Sequence, residues 1–265
     1  MTPIFIDTHA HLDGEEFADD LPEVIARAHE HGVEKIFVPN VNATSLGRVT
    51  RICSQYPDTL YPMIGLHPED VRPDYQAVLD GMEKHLAGGH PFIGIGEVGL
   101  DFYWDSTYAK EQVETFRMQV EWALHYHLPL MIHARSAHRQ LVEVLNDYRS
   151  SDLTGVFHCF TGTTDEARGL LAFQGFMLGI GGVLTFKKSA LPAVLREAVP
   201  LQRIVLETDA PYMTPVPYRG KRNESAFIPL VAQKMAEVFD ISIEEVAQTT
   251  TRNAQTLFGR AASRS

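Results

Sequence analysis

Short apolar runs alternate with longer stretches in which apolar residues recur every three or four positions, and the alternation persists along the whole chain. Runs of strand length occupy 4–7, 35–39, 61–66, 92–97, 128–133, 155–160, 176–181 and 203–207, eight in all. Between them, sets such as Leu21, Val24, Ile25, Ala28 and Phe116, Val120, Ala123, Leu124 lay one apolar stripe along a helix. Asn42-Ala43-Thr44-Ser45 and Thr163-Thr164-Asp165-Glu166 read as helix starts, because their side-chain oxygens can accept from first-turn amides. Strands that alternate with helices predict parallel pairing through helical crossovers. Eight such units in 265 residues match the size of an α/β (β/α)8 TIM barrel, and a last helix over 243–258 closes the chain. An open doubly wound sheet would need a glycine-rich phosphate turn after its first strand, and Asp7-Thr8-His9-Ala10-His11 has no glycine.

Composition adds bounds. No Pro/Gly/Ser-rich linker or low-complexity tract divides the chain, so one domain over 1–265 is expected. With 45% hydrophobic and 22% charged residues, a sizeable core can be buried. A net charge of -11 excludes broad coating of nucleic acid by a basic surface, so any such contact must be local. Cys53 and Cys159 fall in a helical and a strand segment, and no disulfide framework follows. The N-terminal segment has no basic-then-apolar leader, and no stretch approaches the roughly 18 apolar residues of a membrane span, so a cytoplasmic location is expected.

The chemistry gathers at strand ends. His9 and His11 end the first apolar run, and in an extended strand residues two apart project to the same side, so both imidazoles can reach one cation. His29-Glu30-His31 and His125-Tyr126-His127 share that spacing but lie in helical segments, where such pairs do not face each other. They read as solvated faces or helix ends. Glu97, His133, His158 and Asp209 each close a later strand, on the rim where barrel sites are built. Singly, a strand-end histidine is an ordinary hydrogen-bonded residue and a strand-end acid an ordinary helix cap. Together they bring four imidazoles and two carboxylates to one rim, where burial without a cation would be costly. Imidazole and carboxylate without thiolate suit Zn²⁺, Mn²⁺ or Mg²⁺. One ion with an open water position takes three or four protein ligands, so the six candidates point to two divalent cations. Glu97, in the middle of the set, can bridge them.

Seven motifs in order carry a resemblance over nearly the whole chain: DTHAHLD from Asp7, IGLHP from Ile64, IGEVGLD from Ile95, IHAR from Ile132, HCFTG from His158, ETDAPY from Glu207 and RGKRNE from Arg219. With them the chain resembles the TatD family of metal-dependent deoxyribonucleases, among the amidohydrolase-type barrels. The resemblance implies one cation on His9, His11, Glu97 and Asp209 and a second on Glu97, His133 and His158. It further implies hydrolysis of DNA phosphodiester bonds by a water the two cations activate, as a 3′-5′ exonuclease acting on single-stranded ends. No membrane and no obligatory protein partner enter this expectation. Asp209 would also take the proton of the attacking water, beside Glu97 as the second catalytic carboxylate. His67 would meet a phosphate, lie near the metals or be merely structural. Arg135, Arg219, Lys221 and Arg222 are expected to hold phosphates, with a solvated loop as the plain alternative for the last three. Asp101 and Glu207 would orient ligating histidines. Many family members carry Pro where Ser225 follows Glu224 here, a change expected to alter loop stiffness more than chemistry. The same site could also serve an aminoacyl-tRNA ester, an amide or a phosphotriester, and a non-catalytic metal-binding barrel is a third reading.

Overall fold

The computed structural model describes residues 3–89, 91–103 and 105–262; Met1 and Thr2, which open the segment read for a leader, lie outside them. Eight parallel strands form the interior: β1 (Phe5–Asp7), β2 (Val33–Val38), β3 (Leu60–Pro62), β4 (Ile95–Asp101), β5 (Leu130–Arg135), β6 (Gly155–Phe157), β7 (Phe176–Ile180) and β8 (Ile204–Leu206). Helices α1 (Leu21–Glu30), α2 (Ala43–Gln55), α3 (Tyr75–Ala87), α4 (Ala109–Tyr126), α5 (His138–Asn146), α6 (Thr164–Leu171), α7 (Leu191–Ala198) and α8 (Ile228–Phe239) follow the strands in turn. A further helix, α9 (Ile243–Ala262), ends the chain.

Strands β1 to β3 and β4 to β8 each pair in sequence order. Two seams join these ladders. At one, the Ile64 amide donates to Gly94 O (3.2 Å) and the Gly96 amide to Ile64 O (2.9 Å). At the other, the Thr8 amide donates to Leu206 O (3.0 Å) and the His11 amide to Ala210 O (2.8 Å). The ring is thus closed, as a (β/α)8 barrel requires.

Both expected cap signals act. Asn42 and Thr163 start α2 and α6, each with a reciprocal bond to the residue three positions on, Ser45 and Glu166. His29 and His31 end α1, and His125 and His127 end α4, all exposed.

The interior divides into an apolar floor and a polar mouth. Ile6, Phe37, Met63, Ile93, Met131, Val156 and Val205 form an inner cluster plugged by Ala254 and Phe258 of α9, whose ring stands 4.8 Å from that of Phe37. A larger cluster fills the layer between strands and helices. The closing helix therefore packs its apolar side chains into one end of the barrel, and the polar side chains gather at the opposite end.

Several strands depart from their expected spans: β3 ends at Pro62 rather than at 66, β6 at Phe157 rather than at 160, and β4 and β5 are shifted toward the C-terminus. The sequence pattern ends the fourth strand at Glu97, but β4 continues to Asp101, with Val98 to Asp101 paired against Ile132 to Arg135. Gly99 allows this close pairing: at its φ of 140°, a Cβ would lie 2.0 Å from His133 O. Glu97 consequently sits inside the strand, below the mouth.

Candidate metal centre

Glu97 lies buried at the base of the barrel mouth, with its two carboxylate oxygens facing different groups. Oε2 lies 3.2 Å from His9 Nε2 and 3.3 Å from His11 Nε2. Those two nitrogens are 3.1 Å apart, and Asp209 Oδ1 lies 3.7 Å from the first and 3.6 Å from the second. Oε1 lies 2.7 Å from His158 Nε2, 2.9 Å from His133 Nδ1 and 3.3 Å from His67 Nε2. The six residues expected to bind metal are thereby brought together, from segments up to 200 positions apart.

This donor set fits divalent cations. Ligand atoms around a tetrahedral ion with arms of about 2.0 Å are spaced by roughly 3.3 Å, and the contacts around each Glu97 oxygen scatter about that value. The electrostatics agree. Burial opposes charge on His11 and His133, but hydrogen bonds and charge from Glu97, with Asp209 beside His11 and Asp101 beside His133, push the two rings up to about 9 and about 10. Burial and the neighbouring His158 hold His9 down at about 3, against the pull of Glu97. Burial also opposes the charge on Glu97, yet the surrounding imidazoles outweigh it and hold the carboxyl well below the usual carboxylate range. Without a metal, protons on His11 and His133 supply the positive charge that these carboxylates demand. A cation supplies it with both lone pairs turned inward.

A neighbouring carboxylate sets which nitrogen of His133 is presented, whereas His158 Nδ1 makes no hydrogen bond to the carboxylate nearest it. His133 Nε2 lies 2.8 Å from Asp101 Oδ2, so its proton sits there and Nδ1 points into the cluster. Glu207 is fully buried, accepts from the Cys159 amide through Oε1 and lies 3.8 Å from His158 Nδ1. Burial pushes its carboxyl up to about 8. Its seat exists because residue 179 is glycine, since a Cβ there would meet Glu207 Oε2 at 2.1 Å. His67 differs from the other rings. Its Nδ1 accepts from the Glu69 amide at 3.2 Å, so in the neutral ring Nε2 carries the proton and donates.

Asp209 is carried on a left-handed backbone, φ 56°, that costs energy in a non-glycine residue. The framework holding it was not legible in advance. Asp7, fully buried at the end of β1, accepts from the Thr208 hydroxyl (2.6 Å), the Thr208 amide (3.0 Å), the Ser225 hydroxyl (2.7 Å) and the His9 amide (3.3 Å). The Asp209 amide donates to His9 O at 2.9 Å. Asn223 Nδ2 donates to Thr208 O (2.8 Å) and Tyr212 O (2.6 Å). Asn40 accepts from the Gly65 amide through Oδ1 (2.7 Å) and from the Glu97 amide through its carbonyl (3.0 Å). Asp7 and Asn223 do lie inside the motifs quoted above, which is the one signal that marked them. Ser225 is thus more than a stiffness change, because its hydroxyl supplies a bond to buried Asp7 that proline could not.

The basic candidates separate. Arg135 ends β5 with its guanidinium 3.8 Å from the Tyr103 ring centre. Arg219 lies 3.9 Å over Phe186 and donates to Thr214 O at 3.0 Å, and exposed Lys221 lies 5.6 Å from the Tyr218 ring. Arg222 instead forks onto Asp20, at 2.8 and 2.7 Å, and covers the Phe17 ring at 4.6 Å. Its guanidinium is spent tying the loop after β8 to the segment before α1. Arg27, bidentate on Glu224 at 2.8 and 2.7 Å, completes that strut.

The chain matches the profile of the TatD related DNase family over residues 6–259. An uncharacterized metal-dependent hydrolase from Bacillus subtilis is 38% identical, covering 96% of this chain and 99% of its own. A protein from Erwinia amylovora named 3′-5′ ssDNA/RNA exonuclease TatD is 32% identical, at 96% and 99% coverage. Among solved structures, the TatD homolog YjjV from Escherichia coli superposes with a TM-score of 0.90 at 31% identity, covering 98% of this chain and 99% of the other. With a closed barrel and a His/Asp/Glu cluster at its one open end, the chain belongs to the TatD related DNase family, a family of metal-dependent hydrolases.

Proposed function

We infer that this protein is a two-metal 3′-5′ exonuclease that hydrolyses phosphodiester bonds at single-stranded ends of DNA, and of RNA as the name of the Erwinia relative suggests. The observation that carries the reading is the division of labour at Glu97, whose two oxygens each face a separate set of imidazole nitrogens. His9, His11, Glu97 and Asp209 would hold one cation, and Glu97, His133 and His158 the other. Bound divalent cations acidify water and neutralise charge on a phosphoryl oxygen, which is what phosphodiester hydrolysis requires. Asp209, raised above its ordinary value by burial, accepts the proton of the attacking water. His67 donates from Nε2 to a phosphoryl oxygen. Arg135, Arg219 and Lys221 hold flanking phosphates, while Arg222 positions the loop that carries two of them. Among the described residues no helix is long and apolar enough to cross a membrane.

The test is digestion of 3′- and 5′-labelled single-stranded oligonucleotides by protein loaded with Mg²⁺, Mn²⁺ or Zn²⁺, with metal content measured in parallel. Stepwise shortening from the 3′ end is expected, with His133→Ala and Asp209→Ala at least about 100-fold slower. If folded, metal-analysed variants degrade the strand as fast as wild type, the reading is wrong.

A further inference from the structure

Large apolar side chains are exposed at six described positions, Ile4, Tyr103, Tyr212, Met213, Val216 and Tyr218. Five of the six lie in the two loops that follow β4 and β8, at the mouth that carries the ligand cluster. Singly exposed apolar residues need no explanation, but a concentration of them at one site does. In an eight-stranded ring β4 and β8 stand opposite each other, so these residues flank the centre on two sides.

Two of them, Tyr212 and Tyr103, are fixed to the machinery between the loops. The Tyr212 amide donates to Asp209 O at 2.8 Å, and its ring stands 6.4 Å from that of His11, edge-on. The Tyr103 amide donates to Asp101 Oδ1 at 2.8 Å, the carboxylate that also holds His133. Tyr218 stacks on Phe227, with ring centres 4.7 Å apart and planes 11° from parallel. Cations alternate with the rings: Arg135 on Tyr103, Lys221 beside Tyr218 and Arg219 on Phe186. A chain of net charge -11 repels polyanions over most of its surface, so cations interleaved with flat rings, two of them exposed and Phe186 half-buried, mark a local exception. Alternating planes and positive charges complement a polymer of alternating bases and phosphates whose bases are unpaired.

We propose that Tyr103, Tyr212 and Tyr218 form a stacking rim that takes the unpaired nucleobases on either side of the reacting phosphodiester. The rim deepens the exonuclease reading and rests on it. It makes recognition depend on bases that are free to stack but not on their sequence.

The test is fluorescence anisotropy with the full-length protein in EDTA, which prevents turnover. The probes are labelled oligothymidylate and an oligomer of equal length and charge whose sugars carry no bases. Wild type is expected to bind the base-bearing strand more tightly, with Tyr212→Ala and Tyr218→Ala each closing the gap by about 5- to 150-fold. Ile4→Ala, which alters the one exposed apolar residue of the six outside the two loops, is expected to leave the ratio unchanged. Equal binding of the two strands by wild type overturns the proposal. So does a dimer in sedimentation that Tyr218→Ala dissociates, which would make the patch a contact between copies. Hydrolysis of a small activated phosphodiester by metal-loaded wild type separates the two levels. If that activity is present while the strands bind equally, the rim fails alone, and if it is absent, the nuclease reading fails with it.

Discussion

Asp7→Asn should stabilise the protein above pH 6 and change little below pH 4. The Asp7 carboxyl is fully buried, and burial raises its pKa from the ordinary 3.8 to about 6 even though Thr208, Ser225 and His9 donate to it. Below the lower value the group is protonated in both folded and unfolded chains, and its favourable contribution is complete. As pH rises from about 4 to about 6, the unfolded chain ionises first, and that contribution is lost. The interval between 3.8 and about 6, at about 1.4 kcal/mol per pH unit, makes the loss roughly 3 kcal/mol. Asparagine matches the shape of the protonated group. Its oxygen can keep the amides of His9 and Thr208, and its NH2 can face the hydroxyls of Thr208 and Ser225, which rotate to accept. For a chain of this size the gain is worth roughly 6–10 °C in Tm. Thermal melts of both proteins from pH 4 to pH 8, with EDTA in each to remove metal linkage, should show a difference that opens between pH 4 and 6 and then stays constant. A difference independent of pH, or a variant less stable than wild type at pH 8, would refute the account of Asp7 as a charge held at a cost.

Asp101→Ala removes the acceptor that fixes the proton on His133 Nε2, and zinc affinity at the centre should fall by about 10- to 100-fold in chelator competition; unchanged affinity would show that the pair does not orient the ring. Arg222→Ala should lower thermal stability by about 1 kcal/mol, since its partly exposed pair with Asp20 is screened by water. It should leave the salt dependence of oligonucleotide binding as in wild type, whereas Lys221→Ala should reduce the slope of log K against log salt by about 0.7. The opposite pattern would make Arg222 the phosphate contact and Lys221 the bystander.

Features that depend on nearest neighbours were legible in the sequence. Alternation of apolar runs with amphipathic stretches fixes how many strands and helices there are, and Asn42 and Thr163 announce two helix starts through residues only three positions away. The six clustered side chains were also legible, because a polar residue that closes an apolar run has few places to go except the barrel mouth. What escaped depends on partners far along the chain. Arg222 read as a phosphate contact because its loop is basic, but Asp20, 202 positions away, claims the guanidinium. Asp7 read as the first letter of a motif, although its partners Thr208 and Ser225 make it the fastening between β1 and the loop after β8. The run of β4 beyond Glu97 escaped for a third reason. Glycine lowers strand propensity in isolation, and only the closeness of β5 at His133 O reveals why Gly99 belongs inside the strand.

The position of Glu97 within β4 gives the division between its two carboxylate oxygens its physical basis. A carboxylate at the very tip of a strand would share the solvent of the rim and could swing toward one set of imidazoles. Inside the strand, with its own amide bound to Asn40 O at 3.0 Å and its side chain buried, Glu97 approaches from below. Its Oε2 meets His9 and His11 and its Oε1 meets His133 and His158, with the His9 and His158 rings stacked 4.1 Å apart between the two sets. The apolar floor beneath it is plugged by Phe258, and the imidazoles of these four residues and of His67 answer its negative charge. The closing helix and the polar cluster are thus linked: α9 fills one end of the barrel with apolar side chains, and the buried carboxylate at the other end faces two sets of imidazoles.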